Sequence, residues 1–463
     1  MKRISIKDSF LKLNKKIKVC GFVEKIRDHG GLIFFNLRDI SGRLQVVIPK
    51  SKKEIYDIAK LLTEESTVEV VGMMQRRPRG SEDMDMPLGD LELLPIKINL
   101  FSKAKILPFD FRERDKIKEE IRLRYRYLEF RNSVFQENFW QRQKIIAFFR
   151  NFLQKRGFLE IETPILSKST PEGARDFLVP SRLHPGRFYA LPQSPQQYKQ
   201  ILMVGGIERY FQIVRCFRDE DPRADRQAEF TQLDIEMAFT GQEEILNLIE
   251  EMYIKVIKKH FPNKKITQIP FPRLNAQEII KKYKTDKPDL RKNKKDPNEL
   301  AFAFLVDFPM FKWQKEEGRW DAVHHPFTRP QTEDIKKIKL HPENVLAYQY
   351  DFVLNGYEIG GGSLRSYKPE ILEAVFKVMG HSKEVIRKQF GHLLESFQYG
   401  VPPHGGIAPG IDRFLMIILN QKSIRDVIAF PKTGDGRDLM MQAPSEVNKD
   451  QLQELKIKIT KIK

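Results

Sequence analysis

Cysteine is almost missing from this 463-residue chain: only Cys20 and Cys216 occur. Each lies in a strand-like run where a small apolar side chain serves, so neither a disulfide framework nor a zinc site is indicated, and a reducing cytoplasm is the expected compartment. Long apolar runs are missing too. Even a strongly apolar run such as FLMIIL at 414–419 falls far short of the roughly 20 residues of a membrane span. MKRISIKDSF lacks the apolar stretch of a secretory signal, so the expectation is a protein neither secreted nor membrane-spanning. A GxxxxGK[ST] phosphate loop is absent, and so is any internal repeat.

What is present is charge and core. Apolar residues make up 41% of the chain, ample for several cores, and 81 Lys+Arg against 62 Asp+Glu leave a formal charge of +19. That imbalance favours a polyanionic partner such as nucleic acid.

Between residues 16 and 101 the alternation of apolar and polar residues predicts five short strands: KIKVCGFVEKI, LIFFNLRD, RLQVVIP, TVEVVGMMQ and LELLPIKINLF. A helical pattern, KKEIYDIAKLL, falls between the third and fourth. Five strands with a helix at that position match the OB-fold, a small barrel that commonly binds oligonucleotides. The charged stretch FRERDKIKEEIRLRYRYLEFR reads as a hinge passing into a helix, with too many charges for a core. From Arg126 onward, amphipathic helices alternate with hairpin-like strand pairs, which predicts an α+β domain on an antiparallel sheet. The expected boundaries are 1–103, 104–125 for the hinge and 126–463. TDKPDLRKNKKDPNE, at 285–299, reads as an exposed loop.

Three constellations carry chemistry. FRDEDPRADRQAEFTQLD, residues 217–234, holds nine formal charges between two strand-like segments. Pairing those segments places Arg218 at a rigid strand end, facing Gln227 across the loop base, where its planar fork suits a phosphate or carboxylate. In QYDFVLNGYEIGGGSLR, residues 349–365, Asn355-Gly356 is a hairpin turn signal that pairs Val353 with Glu358. Period-two alternation then puts Asp351 on the face of Glu358. Two carboxylates on one face call for a cation, and hard oxygen ligands suit Mg²⁺ shared with substrate phosphates. Gly360 to Gly362 permit a bulge or a close approach before Arg365. In HGGIAPGIDRFLMIILN, residues 404–420, Arg413 falls in the first turn of an apolar helix, where a cation is out of place unless an anion binds. TPEGARDF and QSPQQYK add Glu172 and Lys199 in loop-like sequence. HHPFT adds paired histidines without a third ligand at metal spacing, and buried structural histidines are the default.

Taken together, these segments resemble the three motifs of class II aminoacyl-tRNA synthetases, most closely the bacterial type of aspartyl-tRNA synthetase. GFLEIETPILSKSTPEGARDFLVPSRLHPGRFYALPQSPQQYKQ is similar to motif 1 and the amino-acid pocket, FRDEDPRADRQAEFTQLDIEM to motif 2, and GIAPGIDR to motif 3. The resemblance implies an OB-fold anticodon domain, then a class II catalytic domain. It implies ATP-dependent activation of L-aspartate and transfer to tRNA. Arg218 and Arg413 would be catalytic. ATP would be held by Arg218, Asp219, Glu220, Gln227, Glu358, Gly410, Ile411, Asp412 and Arg413, and Mg²⁺ by Asp351 and Glu358. Aspartate would be held by Glu172, Gln196, Lys199, Arg218, His324 and Arg365, with Lys199 and Arg365 gripping its side-chain carboxylate. Phe34 and Gln45 would engage the anticodon. His29 and Gly80 resemble members that charge both tRNA(Asp) and tRNA(Asn), which implies a partner amidotransferase for Asp-tRNA(Asn). Pro164 matches the motif 1 proline of a homodimer interface. The family's usual inserted domain is absent near 291–301.

Overall fold

The computed structural model describes residues 1–169 and 174–460. It divides into two compact units, 1–110 and 111–463.

In the first unit, strands β1 (Lys16–Asp28), β2 (Leu32–Asp39), β3 (Gly42–Pro49), β4 (Thr67–Arg76) and β5 (Leu91–Ser102) close into a barrel in the order β1-β2-β3-β5-β4. Helix α1 (Lys53–Leu61) lies between β3 and β4 in sequence, so the predicted strands and helix are all present. The alternation has a direct cause. Ile33, Phe35 and Leu37 on β2, and Leu44, Val46 and Ile48 on β3, turn inward to a common core. Phe34 and Gln45 therefore project from the other side of their strands.

The second unit is built on an eight-stranded sheet. Its strands are β6 (Leu159–Glu160), β7 (Arg209–Phe217), β8 (Glu229–Ala238), β9 (Arg273–Asn275), β10 (Phe302–Pro309), β11 (Leu346–Leu354), β12 (Tyr357–Leu364) and β13 (His404–Pro409). They lie in the order β9-β10-β11-β12-β13-β8-β7-β6. The expected antiparallel pairing holds for the six long strands. It fails at both edges, where β6 pairs parallel to β7 and β9 parallel to β10; each edge strand is two or three residues long and follows a helix or loop rather than a tight turn.

One face of the sheet is apolar. Phe211, Leu233, Ile235, Phe304, Tyr350, Phe352 and Ile407 pack with Phe149 and Leu153 of helix α2 (Ser133–Gln154) and with Ile249, Met252 and Tyr253 of the helix Gln242–His260. Strand geometry then sends the alternate residues Asp234, Glu236 and Asp351 to the opposite face. All three are buried there, so that part of the face is a polar interior rather than a solvated surface, while towards β9 the same face is apolar, with Ala303, Leu305 and Val353 packed on Ala276 and Ile279.

The segment after residue 110 differs from expectation. Arg126 and Glu129 are buried, and Glu129 takes Arg114 at 2.8 Å, Arg122 at 2.7 Å and Arg126 on its two oxygens. Four of the charges that argued against a core thus form one of its parts, because each is paired, while Arg112, Glu113, Asp115, Lys116, Lys118, Glu120 and Arg124 stay exposed.

Candidate active site

Arg218, Glu358, Arg365 and Arg413 line one cavity of about 360 Å³, together with Lys199 and His324. Strand ends and glycines position them. β7 and β8 pair Phe217 with Glu229, and Arg218 N donates to Ala228 O at 2.8 Å. Arg218 thus faces Ala228 rather than Gln227. A long loop imposes no turn register, and buried pairs such as Phe211 with Ile235 set it instead. The Arg218 guanidinium lies 5.2 Å over the Phe230 ring, and its Nε is buried without a hydrogen-bond partner among the described residues.

The hairpin β11–β12 forms as expected. Asn355 and Gly356 have φ of 50° and 87°, Val353 pairs with Glu358, and the register shifts at Phe352/Val353 so that Asp351 pairs with Gly361. A side chain on Gly361 would put its first carbon 3.5 Å from Glu358 Oε1, 3.6 Å from Asp351 Oδ1 and 3.3 Å from His324 Cε1. Gly361 therefore keeps open the space that the two carboxylates and the histidine share. Burial, and then Glu358 beside it, push the Asp351 carboxyl well above the usual range. A hard cation would relieve that cost, so the pair fits Mg²⁺ in chemistry. Among the described residues no cluster of three such ligands exists, and phosphate oxygens would have to complete the set.

Lys199 lies on a helix, not in a loop. Helix α3 (Gln196–Val204) begins after Pro195 and buries Gln196, Lys199, Gln200 and Met203 along one side. Its inward side is polar because it faces the cavity, which disguised the helical period. Lys199 Nζ is 2.9 Å from Asp234 Oδ2 and 3.3 Å from Glu236 Oε2. Arg365 grips Glu236 at both oxygens, at 2.9 and 3.0 Å, and its Nη1 reaches His325 Nε2 at 2.8 Å and Ser363 Oγ at 2.7 Å. Both cations are buried, and each already holds a carboxylate.

Burial raises the Asp234 carboxyl against the pull of Lys199. Burial works against Glu236 too, but Arg365 and Lys199 outweigh it and hold Glu236 low. Burial, with Arg365, Arg218 and Lys199 nearby, pushes His324 down to about 3, and burial with His324 and Arg365 pushes His325 well below its ordinary value. Both rings are neutral. His325 Nε2 accepts from Arg365, so its proton sits on Nδ1, 3.4 Å from Thr328 Oγ1.

Arg413 sits in the first turn of helix α4 (Ile411–Ile418) as expected, with Gly410 as its cap. Its guanidinium donates to Glu358 O and pairs with Asp225 at 3.4 Å. Asp412 accepts from Thr231 N at 2.7 Å and from Arg142 of α2, so it ties two elements to the helix start. Ile411 is core. Gln227 exchanges hydrogen bonds of 2.7 and 3.2 Å with the backbone of Lys432. Glu220 is exposed and paired with Arg226 at 3.3 Å; Asp219 is exposed and outside the cavity lining. Glu172 lies outside the described residues.

In the first unit, Phe34 is half-buried with the exposed His29 ring edge-on at 5.8 Å, and Gln45 Nε2 donates to Glu92 at 3.1 Å. Gly80 has φ of 87° in an open loop.

The residues that sequence reasoning missed are Asp234, Glu236 and His325. A signal existed for the first two: LDIEM sets two carboxylates two apart between apolar residues, on one face of a buried strand.

Residues 17–100 match an OB-fold nucleic acid binding domain, and 118–434 match tRNA synthetases class II (D, K and N). An aspartate–tRNA(Asp/Asn) ligase of Hydrogenobaculum sp. (strain Y04AAS1) is 40% identical over 589 residues, covering 98% of each chain. One of Dictyoglomus turgidum is 41% identical, covering 96% of each. The asparaginyl-tRNA synthetase of Pyrococcus horikoshii, solved with asparaginyl-adenylate, shares the fold with a TM-score of 0.74 at 23% identity, over 94% of this chain and 98% of that one. With the matched region spanning most of its length and closely similar relatives covering nearly all of it, this chain belongs to the class II tRNA synthetases of the D, K and N group.

Proposed function

We propose that this chain is an aspartate–tRNA ligase that activates L-aspartate with ATP and charges both tRNA(Asp) and tRNA(Asn). The observation that carries the reading is a buried Lys199 and Arg365 sharing one cavity with Arg218, Glu358 and Arg413. The names of the relatives at about 40% identity support the same substrates.

An α-carboxylate oxygen of aspartate attacks the α-phosphorus of ATP. The bond to the bridging oxygen breaks, and pyrophosphate leaves with the electron pair. Arg218 is assigned to the α-carboxylate and α-phosphate, where its unpartnered Nε finds an acceptor as charge builds. Arg413, with Gly410, Ile411 and Asp412 fixing its helix start, is assigned to the nucleotide. Glu220, Gln227 and Asp219 belong to the loop that borders it. Asp351 and Glu358 would hold Mg²⁺ jointly with the phosphates, which neutralises phosphate charge when bound. The terminal ribose hydroxyl of tRNA then attacks the acyl carbon, and AMP leaves, its phosphate taking the hydroxyl proton. Positioning and electrostatics suffice for both steps.

Selection of aspartate over asparagine follows from the hydrogen-bond donors of the cavity floor. Lys199 and Arg365 already hold Asp234 and Glu236, so the floor is balanced when empty, and donors are what it offers a ligand. An amide NH₂ set against those donors leaves buried groups unpaired. Neutral His324 and Gln196 complete the pocket, with Glu172 assigned to its loop.

For tRNA, Phe34 and Gln45 are assigned to the anticodon by stacking and amide hydrogen bonding, with His29 and Gly80 governing dual charging. Asp-tRNA(Asn) made here requires an amidating partner. Pro164, exposed beside exposed Ile165 and Leu166, is assigned to a homodimer interface. The first relative's alignment of 589 residues exceeds this chain's 463, which supports loss of an inserted domain near 291–301.

Amino-acid-dependent ATP/pyrophosphate exchange tests the reading: exchange with aspartate supports it, and exchange only with another amino acid replaces it. Aminoacylation of both purified tRNAs tests dual charging, which a large preference for tRNA(Asp) in kcat/KM would remove.

A further inference from the structure

The connector at 285–299 is less exposed than its composition implies. Pro288 is buried, and Asp289 Cβ lies 3.4 Å from where a side chain on Gly356 would begin. Asp289 is itself fixed by Arg291 at 2.8 Å, and Lys287 N donates to Thr285 Oγ1 at 3.1 Å. The connector thus packs on the turn of the hairpin that carries Asp351 and Glu358. From there Lys287 Nζ reaches to 3.8 Å from Glu358 Oε2, both side chains about a third exposed. Among the described residues, this is the cation within ion-pair distance of the Glu358 carboxylate.

We propose that Lys287 is a positioning residue that serves as resident counter-ion of the Asp351/Glu358 pair and disfavours a divalent cation there until nucleotide phosphates arrive. The inference rests on the proposed assignment of that pair to Mg²⁺. Two carboxylates are too few to hold Mg²⁺ tightly, and it is normally bound through one or two of them plus phosphates. A lysine beside one of them lowers the negative potential there, against the neighbouring Asp286, whose charge also bears on Asp351. At 3.8 Å and partly in solvent it contributes little to stability, but it repels a dication at the same carboxylate. ATP brings phosphate oxygens and four negative charges, which complete the ligand set and attract the ammonium. The cation therefore enters with the nucleotide rather than before it.

Mn²⁺ binding to the full chain, followed by electron paramagnetic resonance, reads this directly. Wild type, Lys287→Met, Lys287→Arg and Glu358→Gln are titrated with Mn²⁺ alone and with a non-hydrolysable ATP analogue. Without nucleotide, Lys287→Met is expected to bind Mn²⁺ about three- to tenfold more tightly than wild type, a range set by a partly screened unit charge. Lys287→Arg is expected to match wild type, and Glu358→Gln combined with Lys287→Met to abolish the gain. With the analogue the two Lys287 variants should converge with wild type. Unchanged or weaker nucleotide-free binding by Lys287→Met overturns the proposal, as does a gain that survives Glu358→Gln. Thermal melts of each variant exclude misfolding as the cause. Aspartate-dependent exchange by wild type is measured alongside. Its absence overturns the ligase reading and leaves the Mn²⁺ comparison to judge Lys287.

Discussion

Replacing Arg365 by lysine keeps the charge and discards the fork. Arg365 spans Glu236 with Nε and Nη2 while Nη1 serves His325 and Ser363. An ammonium acts from a single point and cannot cover both sides. At least one buried acceptor loses its donor, at a cost of about 1–3 kcal/mol. Glu236 keeps Lys199 at 3.3 Å, so the loss stays below the roughly 3–5 kcal/mol of an abandoned buried charge. If Arg365 also donates to the aspartate side chain, a charged hydrogen bond of about 1.5–3 kcal/mol disappears as well, or about ten- to hundredfold in kcat/KM. All three tryptophans, Trp140, Trp313 and Trp320, lie in the second unit. Their fluorescence during urea unfolding reads the stability term, and aspartate-dependent exchange reads the catalytic one. Full stability in Arg365→Lys would refute the account of the buried contacts. A kcat/KM within threefold of wild type would reduce Arg365 to a structural counter-ion.

Asp412→Asn puts an amide against the donors Arg142 and Thr231 N; a loss of about 1–3 kcal/mol on unfolding and slower exchange, as Arg413 shifts, are expected. His324 is held down to about 3 in the folded protein against about 6.5 unfolded. Its contribution to stability is complete above the unfolded value and lost as pH falls from there towards 3, because the unfolded chain binds the proton first. Unfolding midpoints between pH 5 and 8 should show that fall below about 6.5, reduced in His324→Gln. Phe34→Ala should raise KM for both tRNAs about five- to 150-fold, from a stacking loss of about 1–3 kcal/mol, while aspartate-dependent exchange stays at the wild-type level.

Local patterns were legible where a single element decides the outcome. Asn355-Gly356 permits positive φ at two successive positions, so the turn and the Val353–Glu358 pair followed from local chemistry alone. The barrel strands followed from alternation, since each needs one apolar side only. Patterns failed where neighbours decide. QSPQQYK looked like a loop because its buried side is polar, and it is polar because it faces other polar groups across the cavity. The charged stretch after residue 110 looked exposed because pairing of Arg114, Arg122 and Arg126 on Glu129 cannot be read from composition.

By itself, the order of residues determined the two-part architecture, the hairpin that carries Asp351 and Glu358, and the helix start that presents Arg413, because backbone preferences and hydrophobic periods act over a few positions. Only the tertiary structure decided the charge state of the cavity floor. Lys199 on a helix, Asp234 and Glu236 on β8 and Arg365 just beyond β12 neutralise one another. The positions of Lys287 beside Glu358 and of two neutral histidines against Arg365 were settled in the same way. Electrostatic energy depends on distance and burial, and those are set by how remote segments pack.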